Sequence, residues 1–188
     1  MLQQNQTLNQ IQLKMNTHPQ SNSYTAYYES PIGTIEITST TQILTSLFFF
    51  KAEKRPSPEL KISNDRPLIL QESINQLEQY FKGERIDFNI PLLIKGTNFQ
   101  ETVWHELTHI PYGETISYLA LAKRIGNEKA VRAVGLANGS NFISIVIPCH
   151  RVIGSNGKLV GYGGDLWRKE WLLKHELQYK PKSPNALF

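Results

Sequence analysis

The hydrophobic period of this 188-residue chain changes near Pro67, and that change constrains the fold more than any other feature. Before it, the pattern is that of strands. Thr34-Ile35-Glu36-Ile37-Thr38 alternates polar and apolar residues, as a half-buried strand must. Tyr24 to Tyr28 forms a run before it, with a turn at Ser30-Pro31-Ile32-Gly33, and Ile43 to Phe50 forms a third. Lys51 to Arg66 is polar, holds Pro56 and Pro58, and reads as a loop. Pro67 then opens a helix whose Ile74, Leu77 and Phe81 recur at helical spacing until Gly83 stops it. Residues 24–93 therefore read as an α/β unit, a small antiparallel sheet plus one helix. Nothing in it looks catalytic, and it is expected to be scaffold. Residues 1–23, rich in Gln, Asn, Ser and Thr, read as a disordered tail, and residues 181–188 as a second tail.

A second, mainly helical unit is expected over residues 95–180. Phe99, Val103 and Leu107 share one helical face with Trp104 alongside, and Pro111-Tyr112-Gly113-Glu114 ends that helix. Ser117 caps a short helix with Leu119, Ala122 and Ile125 on its apolar stripe. Gly126 ends it and Asn127 is expected to cap the next, which carries Ala130, Ala133, Val134 and Ala137. Two short helices around a tight turn read as a helix-turn-helix. Ile143 to Ile147 is expected to be a strand, and Ile153 to Lys158 a turn between short strands. Leu166 to Leu177 is the last helix, with Trp167, Trp171 and Leu172 expected toward the core.

Cys149 is the chain's only cysteine, which excludes an internal disulfide and a cysteine-rich zinc site. It follows an apolar run and Pro148 at what reads as a rigid corner, with His150 and Arg151 next to it. Positive charge beside a sulfur lowers the thiol pKa and favours a nucleophile over a buried structural cysteine. Charge placement adds a partner class. Residues 1–92 carry 8 Lys and Arg against 9 Asp and Glu, whereas residues 93–188 carry 12 against 7. The excess in the half that holds the cysteine suits a polyanion such as nucleic acid. No apolar stretch is long enough to span a bilayer and no signal peptide is read, so the cytoplasm is expected. His105-Glu106-Leu107-Thr108-His109 matches the zincin pattern, but no third ligand follows and Pro111 breaks the helix just after it. No metal is assigned there.

Pro148-Cys149-His150-Arg151-Val152 resembles the acceptor-site signature of the methylated-DNA–protein-cysteine methyltransferases, the O6-alkylguanine repair proteins. The likeness extends from Thr97-Asn98-Phe99-Gln100 to His175-Glu176 and covers about residues 95–178 densely. It implies a ribonuclease H-like first unit and a winged helix-turn-helix-like second unit. It implies Cys149 as alkyl acceptor, His150 as base and Glu176 as the carboxylate that holds the histidine. Glu176 sits near a helix C-terminus, where the dipole favours Lys, so another duty is expected of it. On the DNA side the resemblance implies Arg132 as an intercalating finger, with Tyr118, Ala133, Gly135, Asn138 and Arg151 as further DNA contacts. Tyr118, Val152, Tyr162, Gly163 and Gly164 would form the base pocket, and Asn141 a hinge. The family usually has a proline after that asparagine and a further glycine after the loop; here Phe142 and Asp165 stand instead. The implied partner is double-stranded DNA bound through the minor groove, by a monomer, with cooperative binding left open. No cofactor is implied.

The implied activity is single-turnover transfer of the alkyl group from O6-methylguanine, with O4-methylthymine as a further substrate, onto Cys149. Two rival classes stay open on the sequence. A damage-binding module without chemistry would keep Arg132 and have no use for Cys149. A Cys-His-Glu hydrolase would turn over and leave the helix-turn-helix without purpose.

Overall fold

The computed structural model describes residues 22–49 and 67–181. Both tails, apart from a few inner residues, and the loop expected over residues 51–66 fall outside them. The first unit begins with three antiparallel strands in the order β1 (Tyr24–Ser30), β2 (Gly33–Ser39), β3 (Leu44–Phe49). Ser30 pairs with Gly33 across a two-residue turn, and Ile35 pairs with Phe49 on the other edge. The alternation does what the sequence asks of it: Ile35, Ile37, Leu44 and Leu47 are completely buried. Each such side chain contributes about 1.5–3 kcal/mol relative to exposure. Helix α1 (Leu68–Phe81) packs on the sheet through Leu70, Leu77 and Tyr80. Pro67 stands at its N-cap, one residue outside the helix it was expected to open.

In the second unit α2 (Asn98–Leu107) starts in a capping box, with Thr97 accepting from Gln100 N and the Gln100 side chain accepting from Thr97 N. Ser117 caps α3 (Tyr118–Arg124) by accepting from Ala120 N. Gly126, at φ 75°, makes the left-handed turn that other residues resist. The next element departs from expectation. Asn127 precedes a single 3-10 turn (Glu128–Ala130) without a side-chain cap, and α4 (Val131–Gly139) begins only after it. Val134 and Ala137 face the core, and Ala133 and Leu136 face outward.

The strand expected at Ile143–Ile147 does not form. Ile143, Ile145 and Ile147 are all buried, but the backbone folds through turns, with Ile145 at φ 71°. The segment instead hooks onto β3: Leu47 N donates to Phe142 O, and Ser144 N donates to Leu47 O. One continuous core thereby joins the two units. The turn at Gly154–Lys158 closes through Gly154 N to Lys158 O, yet no return strand follows. The strand before it, β5 (Val152–Ile153), pairs in parallel with β4 (Ile116–Ser117). Helix α5 (Leu166–Tyr179) closes the chain. Its Leu172 is buried, but Trp167 is 52% exposed, against expectation. Its ring lies under Arg168 on the outer surface.

Candidate active site

Cys149, His150 and Arg151 form one 3-10 turn, so three successive side chains leave the backbone in different directions. All three are buried. His150 turns to the C-terminal part of α5, where its Nε2 lies 2.8 Å from Glu176 Oε1. A carboxylate only accepts, so Nε2 carries the proton and Nδ1 presents a lone pair. Among the described residues Nδ1 meets no protein partner.

Arg151 does not face solvent or DNA. Its Nε and Nη2 donate to Glu176 Oε2 and Oε1 at 2.8 and 2.9 Å, and Nη1 donates to Ile110 O at 2.6 Å. The expected DNA contact at this residue is therefore excluded: a guanidinium clamped on an interior carboxylate cannot also reach a phosphate. Glu176 accepts two further bonds, from Tyr80 Oη and Gly113 N, each at 3.0 Å. Burial alone would raise its pKa, but the His150 and Arg151 charges and bonds prevail and hold the carboxyl well below the usual range. The expectation for the thiol also needs correction. Burial pushes the Cys149 pKa up, and the partial relief comes from the Asn141 side chain and Lys169 rather than from Arg151. Burial likewise lowers the His150 pKa, against the pull of Glu176.

Asn138 is interior as well. Its Nδ2 donates to Cys149 O at 3.3 Å and to Tyr118 Oη at 3.4 Å, so it braces the site from α4 and is not open to DNA. Asn141 bridges the turn, donating to Ile147 O at 2.8 Å and accepting from Ile143 N at 3.0 Å. Phe142 stands edge-on to Trp104, with ring centroids 5.3 Å apart. Arg132 and Ala133 are exposed and Gly135 half-buried, with Tyr118 lying beside Gly135.

The glycine loop comes down beside the cysteine. Tyr118 Oη donates to Val160 O at 3.1 Å, and Lys169 Nζ donates to Val152 O, Val160 O and Gly161 O at 2.7, 2.9 and 3.3 Å. Lys169, which the sequence did not single out, is fully buried, and burial lowers its pKa to about 8. A Cβ on Gly164 would come within 2.8 Å of the Phe49 ring and 2.9 Å of Tyr162, so only glycine fits there. Val152 is buried, Tyr162 and Gly164 are half-buried, and Gly163 is exposed beside Gly139 O. Asp165 occupies the N-cap position of α5 without bonding its N–H groups; its carboxylate pairs with Arg168 at 2.7 Å. Arg168 also donates to Ile32 O, which ties the loop to the first unit.

His105 and His109 lie on the outer face of α2 and the turn after it. Their rings are 6.3 Å apart, and Glu106 pairs with His109 and Arg124. Among the described residues no group of three or more His, Cys, Asp or Glu is placed to hold a metal ion. No helix among them is long and apolar enough to cross a membrane.

An α/β unit packed on a helix-turn-helix unit, with a lone cysteine next to a His-Arg-Glu network, defines a narrow class. The family models described as 6-O-methylguanine DNA methyltransferase match this chain: the ribonuclease-like domain over residues 23–94 and the DNA binding domain over residues 98–178. The methylated-DNA–protein-cysteine methyltransferase of Methanosarcina acetivorans is 49% identical over 154 residues, which is 81% of this chain and 97% of that protein. That of Mycolicibacterium paratuberculosis is 46% identical, covering 82% of this chain and 93% of its own. The crystal structure of Mycobacterium tuberculosis O6-methylguanine methyltransferase superposes with a TM-score of 0.72 at 40% identity, over 86% of this chain and 97% of that one. A structure of Mycobacterium tuberculosis OGT in complex with DNA gives a TM-score of 0.71 at 43% identity, over 82% and 93%. The chain belongs to the methylated-DNA–protein-cysteine methyltransferase family.

Proposed function

We propose that this protein repairs DNA by moving the alkyl group of O6-alkylguanine onto its own Cys149, once per molecule. The observation that carries the site assignment is the His150–Glu176 bond of 2.8 Å. It fixes the imidazole so that a lone pair, not a proton, is left for the thiol. The buried thiol has a raised pKa, so it needs that base. His150 takes the thiol proton through a water. The sulfur then attacks the alkyl carbon in line, the S–C bond forming as the C–O6 bond breaks, and the guanine leaves with the electron pair. Tyr118 protonates it, while a backbone N–H only donates a hydrogen bond to the departing base. The thioether does not hydrolyse, and the chain has no second cysteine to resolve it.

The damaged base is unreachable inside a duplex and must be extruded. The outer face of α4 suits the minor groove, because Ala133, Gly135 and Gly139 let its backbone come close while Arg132 fills the stack. Tyr118 crowds the phosphate, and the Val160–Gly164 loop admits the base beside Tyr162. Asn141 is the hinge between α4 and the cysteine turn. The protein works as a monomer in the cytoplasm, where its thiol stays reduced.

Intact-mass spectrometry after mixing with a duplex carrying one O6-methylguanine tests this. One methyl-sized gain on the Cys149 peptide, lost in Cys149→Ser, is expected. No gain by a protein that binds the duplex would leave a damage-binding module instead.

A further inference from the structure

The first unit reads as scaffold, yet one of its side chains reaches the site. Tyr80, in the last turn of α1, is completely buried. Its hydroxyl donates to Glu176 Oε1 at 3.0 Å, the same oxygen that holds His150. Its carbonyl lies 2.8 Å from His175 Nε2, so one residue grips two neighbours on α5. Its ring sits among Phe81, Phe88, Tyr112 and His175. Packing alone does not demand the hydroxyl bond. Tyr112, in the same cluster, buries its hydroxyl with no protein partner among the described residues.

We infer that Tyr80 is a positioning residue for alkyl transfer, through which the first unit sets the strength of the Glu176–His150 bond. The inference rests on the reading of Cys149 as acceptor and His150 as base. Each donor on Oε1 draws charge from the carboxylate. Three donors share that oxygen: His150, Arg151 and Tyr80. With Tyr80 in place, Glu176 orients the imidazole without over-stabilising imidazolium, and His150 stays free to accept a proton. Without it, the carboxylate pulls harder and His150 keeps its proton to higher pH. The other groups facing the pair leave this response readable. Arg151 stays charged, and burial keeps the Tyr80 and Tyr112 hydroxyls neutral, Tyr112 at about 12. Lys169, at about 8, titrates on the alkaline side.

The test is the single-turnover rate of methyl transfer from an O6-methylguanine duplex to the full chain, followed from about pH 5 to 8. Tyr80→Phe keeps the ring and removes only the hydroxyl. A rate roughly three- to tenfold lower near neutrality is expected. The acid limb should move to higher pH, and the rates should converge as His150 loses its proton. Phe88→Leu, which loosens the same aromatic cluster without touching the carboxylate, should leave the limb in place. In a Glu176→Gln background Tyr80→Phe should have no further effect. A limb that stays put in Tyr80→Phe, or moves equally in Phe88→Leu, overturns the inference while a methylated wild type preserves the acceptor reading. A wild type that gains no methyl group overturns both. The wild-type protein gives a second measurement that needs no variant. The Tyr80 hydroxyl proton should appear as a slowly exchanging NMR signal that shifts as His150 titrates, and a signal blind to that titration overturns the inference.

Discussion

Replacing Arg151 by Leu would test the interior placement of the guanidinium, which the family resemblance put on the DNA. The change removes two bonds to Glu176 and one to Ile110 O, and strips a cation from the face of Tyr112. Glu176, completely buried, keeps His150, Tyr80 and Gly113. Removing one partner of a buried pair costs about 3–5 kcal/mol, since the other charge stays behind without compensation. For a chain of this size each kcal/mol moves Tm by about 2–4 °C, so a fall of roughly 6–20 °C is expected. The pH dependence supplies a sign. A carboxyl held below its unfolded value contributes stability above that value, and the contribution fades as pH falls toward the folded value. The unfolded value is about 4.3. Wild type should therefore lose Tm between about pH 5 and pH 3 partly through Glu176, and Arg151→Leu should lose less. Thermal unfolding followed by circular dichroism at both pH values reads this, with DNA affinity measured beside it. A Tm within about 2 °C of wild type, with weakened DNA binding, would refute the interior clamp and return Arg151 to the DNA surface.

Arg132→Ala should slow methyl transfer from duplex DNA by an order of magnitude or more, yet leave reaction with a free O6-benzylguanine base near wild type, as separate rapid-quench assays would show. Lys169→Met removes the three bonds by which Nζ links Val160 O and Gly161 O to Val152 O of β5, and takes a cation from near the thiol. Limited proteolysis should then cut between Lys158 and Gly164, and the thiol should titrate at still higher pH in an iodoacetamide assay. On α5, Leu172→Ala should cost about 2–5 kcal/mol, whereas Trp167→Ala should stay within about 0.5 kcal/mol. Urea unfolding of the two variants checks which side of the helix faces the core.

What could be read in advance follows from how local the determinants are. The β1–β2–β3 meander was legible because Ile35 and Ile37 declare their face within one strand. The cap at Ser117 was legible for the same reason, its partner Ala120 being three residues away. Ile143 to Ile147 was misread because a short apolar, β-branched run looks alike in a strand and in a turn held by β3, and only Leu47 decides. The charge beside Cys149 was misjudged because Arg151 answers to Ile110 and Glu176, distant in sequence and adjacent only in the fold. Tyr80 and Lys169 carry no motif at all. Each is an ordinary helix residue until α1, α5 and the glycine loop meet. Trp167 matched the helical period, but the rotation of α5 about its axis is set by Leu172, His175 and Glu176, and these turn it outward.

Trp104 lies under α4, 2% exposed, its indole N–H donating to Ala137 O at 2.8 Å and its ring meeting Phe142 edge-on. The other two tryptophans are both on α5, Trp171 stacked on His175 and Trp167 on the surface. The protein thus carries its own optical gauge. In a Trp167→Phe/Trp171→Phe background, the indole emission would report how α4 seats on α2, so the strain that bound DNA puts on that helix could be watched in real time without any dye.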